Sequence, residues 1–596
     1  MTVDSVDAGA PTTPDGPATV PPPVRESFAQ RCVDRLGTLP TPLVAAVAYL
    51  VGAVWIMSRL FTGTQRISGV AGREQAYGEW MMLHGARILT EGVSPWTESQ
   101  VAFPQVVNTF SDQGILGLSV PLAPLTLLLG PNRAFVLTAV LVLAATAFAW
   151  YWVLSRHVVT SRLAAVLGGA LGGFAPGVVA HAQGDLGFAA QFLVPFIIWR
   201  VLKLREGRAL RDGTILGLLC VWQGFIEPEM LILLSVGFVL FFAAYATQRF
   251  SEVRAYAPAV LRGLAVAAVI TLVALAYPLW TQYFGPHRDH PSRALRTMGA
   301  DLVSFVRFAT PSLATHPVGR VHYAQSGIEQ NTFWGWPLLT LLVAAAWWLK
   351  TPLSRTIALT SGVLCLLACG ATFTIKTSST GVPGPWRLLA DLPVLRGVAP
   401  GHLALMVVPM IAVLFAVAAQ RAAEEVTLLR AERPGTRMAF LWYGLVAAAL
   451  LPAAPAPVRV ADLHVPAFVS AGTWRAYVPA GSRLAIVPTT GSSDPTERRW
   501  ALATDLELPV TDAHLAPTLD RARMATLRGA RVAEADKAAA LKALADGRAS
   551  VLVMQSERVM PEGKNEETLW RMTTALVGTE PVWVSGVWVW DLRTVN

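Results

Sequence analysis

The apolar run Val44–Leu60, VAAVAYLVGAVWIMSRL, gives way to the polar stretch Gly72-Arg73-Glu74-Gln75, and the fold turns on that change. A spanning helix needs roughly 20 mostly apolar residues, and Val44–Leu60 with its flanks meets that length. The stretch from Ala71 to Gly130 is mixed, with Arg73, Glu74, Glu79, Trp80, His84, Arg87, Glu91, Pro95 and Trp96. Unstructured loops of such length are uncommon in compact proteins and are usually functional. We read this one as the roof of an active site at the outer face of a membrane.

Composition points the same way. The chain has 596 residues, 53% hydrophobic and 15% charged, with mean hydropathy +0.47. A soluble domain carries about 25% charged residues, so this is a multi-pass membrane protein. The net charge of +9 does not indicate nucleic acid, because the arginines sit mostly in short links between apolar runs. Basic residues in such links mark the cytoplasmic side. Cys32, Cys220, Cys365 and Cys369 form no disulfide framework. Residues 1–40 are rich in Pro, Thr, Ala and Asp and read as a disordered cytoplasmic tail, with no signal-peptide core.

The same length rule gives about eleven spans, near 42–60, 134–154, 162–180, 187–203, 213–225, 230–247, 257–280, 333–349, 355–371, 402–419 and 438–455. Ile115–Leu129 is apolar but short, holds Pro121 and Pro124, and reads as a re-entrant or interfacial helix. Links bearing Arg156, Arg162, Lys203, Arg205, Arg208, Arg249, Arg254, Lys350 and Arg355 then fall inside. The outer side receives loops 61–133, 281–332 and 372–401 and the region 456–596. That last region has strand-like runs at 483–487, 551–554 and 582–590 and helix-like runs at 534–545 and 566–576, an α/β mix.

Acids collect on the outer side: Glu74, Glu79, Asp112, Asp185, Glu227 and Glu229. A charge near the bilayer core is costly, roughly 2.5–3.5 kcal/mol at a helix centre, so Glu227-Pro228-Glu229 within an apolar region implies a polar cavity. For any one of these acids the bland reading is a solvated or ion-paired surface charge. Three separate turns delivering acids to one side favour a site. Basic residues come from the later loops, among them Arg288, Arg293, Arg396 and His402. Arginine forks suit phosphate oxygens, although Arg293 and Arg296 at helical spacing also fit a solvated face. His287 and His290 alone do not make a zinc site, and no cofactor motif is present; a divalent metal at a phosphate stays open.

The stretches Gly72-Arg73-Glu74-Gln75, Pro121–Pro131 (PLAPLTLLLGP), Gly172–Pro176 (GGFAP), Val179–His181, Phe308–Pro311, Leu392-Pro393 and Ala399-Pro400 resemble the GT-C superfamily of membrane glycosyltransferases, in particular a large actinobacterial group of multi-pass transferases. The resemblance covers about 70–590 in outline. It implies a polytopic α-helical membrane domain over 41–455, a polyprenyl-phosphate sugar donor and a cell-envelope glycan or glycolipid acceptor. It also implies a first-loop acid as base. That acid is commonly Asp directly after Gly; here Arg73 stands there and Glu74 is the first acid. Glu74 is carried over as base and Asp185 as its helper. Glu79, Glu227, Glu229 and His402 are cavity residues by position, and Arg288, Arg293 and Arg396 are donor-phosphate contacts. A scaffold with an altered site and a lipid-linked sugar flippase are the rival expectations.

Overall fold

The computed structural model describes residues 41–63, 66–98, 107–110, 114–286, 299–306, 313, 328–432, 438–487, 495–511, 516–556 and 566–594. The tail expected over 1–40 lies outside them. The chain divides after Val44, before which only the first turn of a helix is described.

Helix α1 (Thr41–Met57) buries Ala45, Tyr49, Ala53 and Ile56 and exposes Val47, Val51 and Val54. The near-fourfold spacing turns one apolar stripe to the protein and leaves another outward, as a lipid-facing helix requires. Strand β1 (Arg66–Ser68) follows, then helix α2 (Gly72–Thr90). The expected roof loop is therefore largely helical. Gln75–Met82 of α2 is buried throughout, so this segment packs as an internal wall. Strands β2 (Thr97–Glu98) and β3 (Val107–Asn108) pair antiparallel. The apolar run at 115–129 forms α3 (Leu116–Ser119) and α4 (Ala123–Leu129). The seven residues of α4 rise about 1.5 Å each, far short of the ~30 Å bilayer core.

Helix α5 (Pro131–His157) packs along α6 (Arg162–Gly173). A Cβ added at Gly173 would sit 2.5 Å from Ala147 Cα, so glycine permits this close approach. The spans expected at 162–180 and 187–203 are both broken. Ala175 is extended ahead of Pro176, where α7 (Pro176–His181) begins; a residue before proline is driven out of the helical region. Then α8 (Leu186–Ala189) and α9 (Val194–Lys203) replace one continuous span, with Pro195 in the first turn of α9. These breaks place the 181–185 turn inside the protein.

Helix α10 (Ala209–Ile226) packs along α11 (Pro228–Ala274), which is 47 residues long and broken at Arg249 (φ −140°, ψ 48°). Next come α12 (Ala276–Tyr283), α13 (Trp336–Leu349), α14 (Pro352–Ala368), the β4–β5 hairpin (Thr372–Ile375 and Ser378–Pro383), α15 (Val407–Glu432) and α16 (Met438–Leu450). Among the described residues, Thr41–Thr62, Pro131–His157, Pro228–Ala274 and Pro400–Leu428 are long and apolar enough to cross a membrane.

Strand β6 (Val460–Asp462) returns to pair with β1, Arg66 opposite Asp462. Beyond it lie α17 (Ala467–Ser470), β7 (Arg483–Ile486), α18 (Thr496–Ala503), β8 (Val510–Thr511), α19 (Ala516–Leu527), α20 (Glu534–Asp546), β9 (Ala549–Gln555), α21 (Glu566–Val577), β10 (Val582–Val584) and β11 (Val587–Asp591). They build a five-stranded sheet in the order β10-β11-β9-β7-β8, with β7 parallel to β8 and β9. Alternate side chains of β9 serve two cores, as the strand period of two demands: Leu552 and Met554 pack with α19–α21, Val551 and Val553 with Phe468 and Trp500. The run at 582–590 is a hairpin, not one strand. Ser585 and Gly586 have φ of 45° and 92°, the paired positive angles of a two-residue hairpin turn.

Candidate active site

Four separate segments bring titratable side chains to one place. At the α10–α11 junction Glu227 is extended (φ −159°, ψ 101°), with Pro228 opening α11. Glu227 Oε1 accepts the Glu229 backbone N–H at 3.1 Å, capping the helix, and Glu229 occupies the first turn, where the helix dipole favours an anion. His402 comes from the 3-10 turn Pro400–Met406 ahead of α15. Its Nδ1 lies 2.7 Å from Glu229 Oε1 and its Nε2 2.9 Å from Glu329 Oε1. Both ring nitrogens face carboxylates, so both carry protons and the ring is an imidazolium. Phe188 of α8 packs on that ring at 4.3 Å.

Asn331 Nδ2 donates to Glu329 Oε2 at 3.0 Å, which turns its carbonyl oxygen toward His181 Nε2 at 2.9 Å. His181 thus holds its proton on Nε2, and Nδ1 is left buried with a bare lone pair. Asp185 follows in the same turn. A Cβ added at Gly187 would meet Glu227 Oε2 at 2.6 Å and Asp185 Oδ1 at 3.3 Å, so both acids close on one glycine.

His181, Asp185, Glu227 and His402 are buried, whereas the side chains of Glu229 and Glu329 remain 20% exposed. Burial, then the neighbouring Asp185 and Glu229, hold the Glu227 carboxyl well above the ordinary range. Burial also raises Glu329, but the charge and hydrogen bond of His402, with His181 and Asn331, outweigh it and bring the carboxyl down to about 2. Burial, aided by His402, lowers His181 to about 4 against the pull of Glu329 and Asn331. One neutral imidazole, one imidazolium and carboxyls of unequal acidity share the site. Among the described residues no lysine or arginine pairs with Glu227, Glu229 or Glu329.

Of the residues singled out in the sequence, Asp185, Glu227, Glu229 and His402 meet here. Glu74 lies at the edge, half-buried: a Cβ on Gly184 would touch Glu74 Cβ at 2.7 Å. Arg73 is exposed. Glu79 turns away, buried against Arg499 at 2.7 Å. Arg396 is exposed and donates to the Asp391 carbonyl at 3.2 Å. Arg288, Arg293, Asp112 and the stretch 308–311 lie outside the described residues. Sequence reading missed Glu329 and Asn331 and gave His181 no role. The signal was present: Glu329-Gln330-Asn331 is a polar triplet just before an apolar run, as Glu227-Pro228-Glu229 is.

A bundle of spanning and broken helices, followed by a mixed α/β layer, is a fold this chain shares with an oligosaccharyltransferase and an arabinofuranosyltransferase of known structure. Two solved structures make this concrete. Archaeal oligosaccharyltransferase AglB from Archaeoglobus fulgidus, in complex with an inhibitory peptide and a dolichol-phosphate, superposes with TM-score 0.51 at 12% identity, covering 93% of this chain and 71% of that one. Arabinofuranosyltransferase AftD from Mycobacteria superposes with TM-score 0.56 at 13% identity over 92% of this chain, which spans only 40% of AftD. No protein-family model and no curated protein matches the sequence.

Proposed function

We propose that this membrane protein is a glycosyltransferase that moves a sugar from a polyprenyl-phosphate donor to a cell-envelope glycan or glycolipid. The observation that carries the reading is the His402-centred acid cluster set beside the first-loop helix in a GT-C fold. Glu74, at the rim, takes the proton of the acceptor hydroxyl. The hydroxyl oxygen attacks the anomeric carbon, the bond from that carbon to the phosphate oxygen breaks, and polyprenyl phosphate leaves. Asp185 orients the acceptor, and Glu229 and Glu329, the exposed acids, face the incoming sugar.

A donor phosphate entering beside Glu229 and Glu329 meets net negative charge, which a divalent cation would offset. His181 and Glu329 fit one, and His402 would join them on giving up a ring proton: a ligand atom from each lies within 4.8 Å of the others, and among the described residues the buried His181 Nδ1 has no hydrogen-bond partner. Such a cation would neutralise charge developing on the leaving phosphate. Arg288, Arg293 and Arg396 are proposed as further phosphate contacts. Arg156, Arg162, Lys203 and Arg208 sit at helix ends, at the links that join α5 to α6 and α9 to α10. This supports a plasma-membrane orientation with the N-terminus in the cytoplasm and the site and α/β layer outside.

The deciding experiment is native mass spectrometry of protein gently extracted from its own membranes, followed by transfer to an envelope acceptor. A co-purifying polyprenyl-phosphate sugar that is lost on transfer supports the reading. Preparations that carry ordinary phospholipid alone, and bind no added donor, overturn it in favour of an envelope scaffold, the role that Arg73 at the usual acid position would favour.

A further inference from the structure

A directed chain of buried hydrogen bonds runs from the α/β layer to the turn that holds His181 and Asp185. Arg499, on α18, donates from Nη2 to Glu79 Oε1 at 2.7 Å and to the Arg66 carbonyl at 3.2 Å. The same Glu79 oxygen accepts Gln75 Nε2 and Asn132 Nδ2, each at 2.8 Å. Because the Gln75 amide nitrogen is committed to Glu79, its oxygen faces the other way and accepts the Ser68 backbone N–H at 2.6 Å. Ser68 Oγ accepts the Ala71 N–H at 3.1 Å, and its own proton goes to Gln183 Oε1 at 3.2 Å. Gln183 is two residues from both His181 and Asp185.

Ser68, Gln75, Glu79, Gln183 and Arg499 are each at most 6% exposed. In a low-dielectric interior each bond strengthens and orients the next, and an unpaired member is costly. Two more contacts dock α18 on α2: the Arg498 guanidinium lies over the Tyr77 ring at 5.1 Å, and a Cβ on Gly72 would lie 3.5 Å from Pro495. Glu74 lies beside the chain: a Cβ on Gly184, next to Gln183, would come within 2.7 Å of the Glu74 Cβ.

We propose that Arg499 is a positioning residue: through Glu79, Gln75, Ser68 and Gln183 it fixes the 181–185 turn against the first turn of α2, so that the α/β layer completes the active site. The inference rests on the transferase reading for its functional consequence, but its structural core does not. Arg499 acts through Glu79, the acid it pairs with. It holds Glu79 as an oriented acceptor, Glu79 sets the Gln75 amide, and the Gln75 oxygen fixes the Ser68 backbone, whose residue reaches Gln183 through its hydroxyl.

The test is amide hydrogen exchange on the full-length detergent-solubilised protein, comparing R499M, R499K and the surface control R475M, whose side chain pairs with Glu507. Relay through Glu79 predicts exchange about tenfold faster across 179–190 in R499M, partial protection in R499K, and none of this in R475M. Should R499M unfold, E79Q/R499M removes both charges and keeps the Gln75 and Asn132 contacts; its exchange at 179–190 is expected between wild type and fully open. Faster exchange at 496–503 with 179–190 unchanged means Arg499 only docks the layer, and overturns the proposal; so does no change anywhere. In transfer assays kcat falls in R499M while the donor KM stays within about twofold. If the wild type transfers nothing from any lipid-phosphate sugar, the transferase reading fails and the exchange result still decides the role of Arg499.

Discussion

His402 is clamped between Glu229 and Glu329, with 2.7 Å from Nδ1 to one carboxylate and 2.9 Å from Nε2 to the other. Removing the ring leaves two acids facing each other. H402A is expected to lose about 2 kcal/mol, less than a fully buried pair because both acids are partly exposed. H402A/E329Q should recover much of that. Thermal unfolding in detergent, followed by tryptophan fluorescence, measures both; equal midpoints for wild type and H402A would show that the clamp adds nothing to stability.

Glu227 links stability to pH. Burial, with Asp185 and Glu229, raises its carboxyl, so the folded state binds the proton more tightly than the unfolded chain. That stability is fully present below the unfolded carboxyl pKa and is lost as pH rises through the folded value. E227Q cannot ionise. It should match wild type near about pH 4 and melt higher near about pH 8, which melting curves at the two pH values resolve. A wild type and variant that differ equally at both would count against a raised carboxyl.

Gly187 is the narrowest point of the cluster. An alanine there places Cβ 2.6 Å from Glu227 Oε2 and 3.2 Å from the Ile226 carbonyl. The overlap costs about 1–3 kcal/mol and displaces two acids at once. G187A should therefore lose at least as much transfer activity as D185N, while G362A, with nothing within 4 Å of its Cβ, should keep it.

Glu74 and Glu79 share a helix but not a role. Losing a general base costs about a hundredfold or more in turnover, so E74Q should lose transfer while retaining bound donor by native mass spectrometry. E74D should recover part. E79Q should lower the melting temperature, since it weakens the Arg499 contact. An E74Q enzyme with normal turnover would move the base to Asp185 or Glu229.

The proposed cation is open to direct removal. Chelation should abolish transfer, and manganese or zinc should restore it at lower concentration than magnesium, because two imidazoles favour the softer ions. H181A should raise the manganese concentration needed for half-recovery. Activity untouched by prolonged chelation would remove the metal from the site.

Much of the site was legible because membrane burial makes polarity conspicuous. Glu227-Pro228-Glu229 stands out within an apolar region, and an acid there implies a polar cavity. Asp185 came through the family resemblance and His402 as one of the basic residues of the later outer loops. Glu79 looked equivalent to Glu74 in sequence, yet five residues along a helix turn it to another face, toward Arg499. Glu329 carried no weight in a long loop, since nothing in the chain order says that it meets a histidine 73 positions later.

Sequence alone determined the class of environment. Hydropathy places apolar runs in lipid, the run at 551–554 reads as a strand, and Pro228 between two glutamates marks a break in an apolar region. These are local effects, written in short stretches of chain. Tertiary structure alone decided which polar groups meet: His402 with Glu229 and Glu329, Asn331 with His181, Arg499 with Glu79. Each contact joins distant segments, and buried polar groups must find partners wherever packing brings them. From sequence, spans run through Pro176 and Pro195 and a break falls only at Pro228; the packed chain breaks at all three and brings those breaks to one acid cluster.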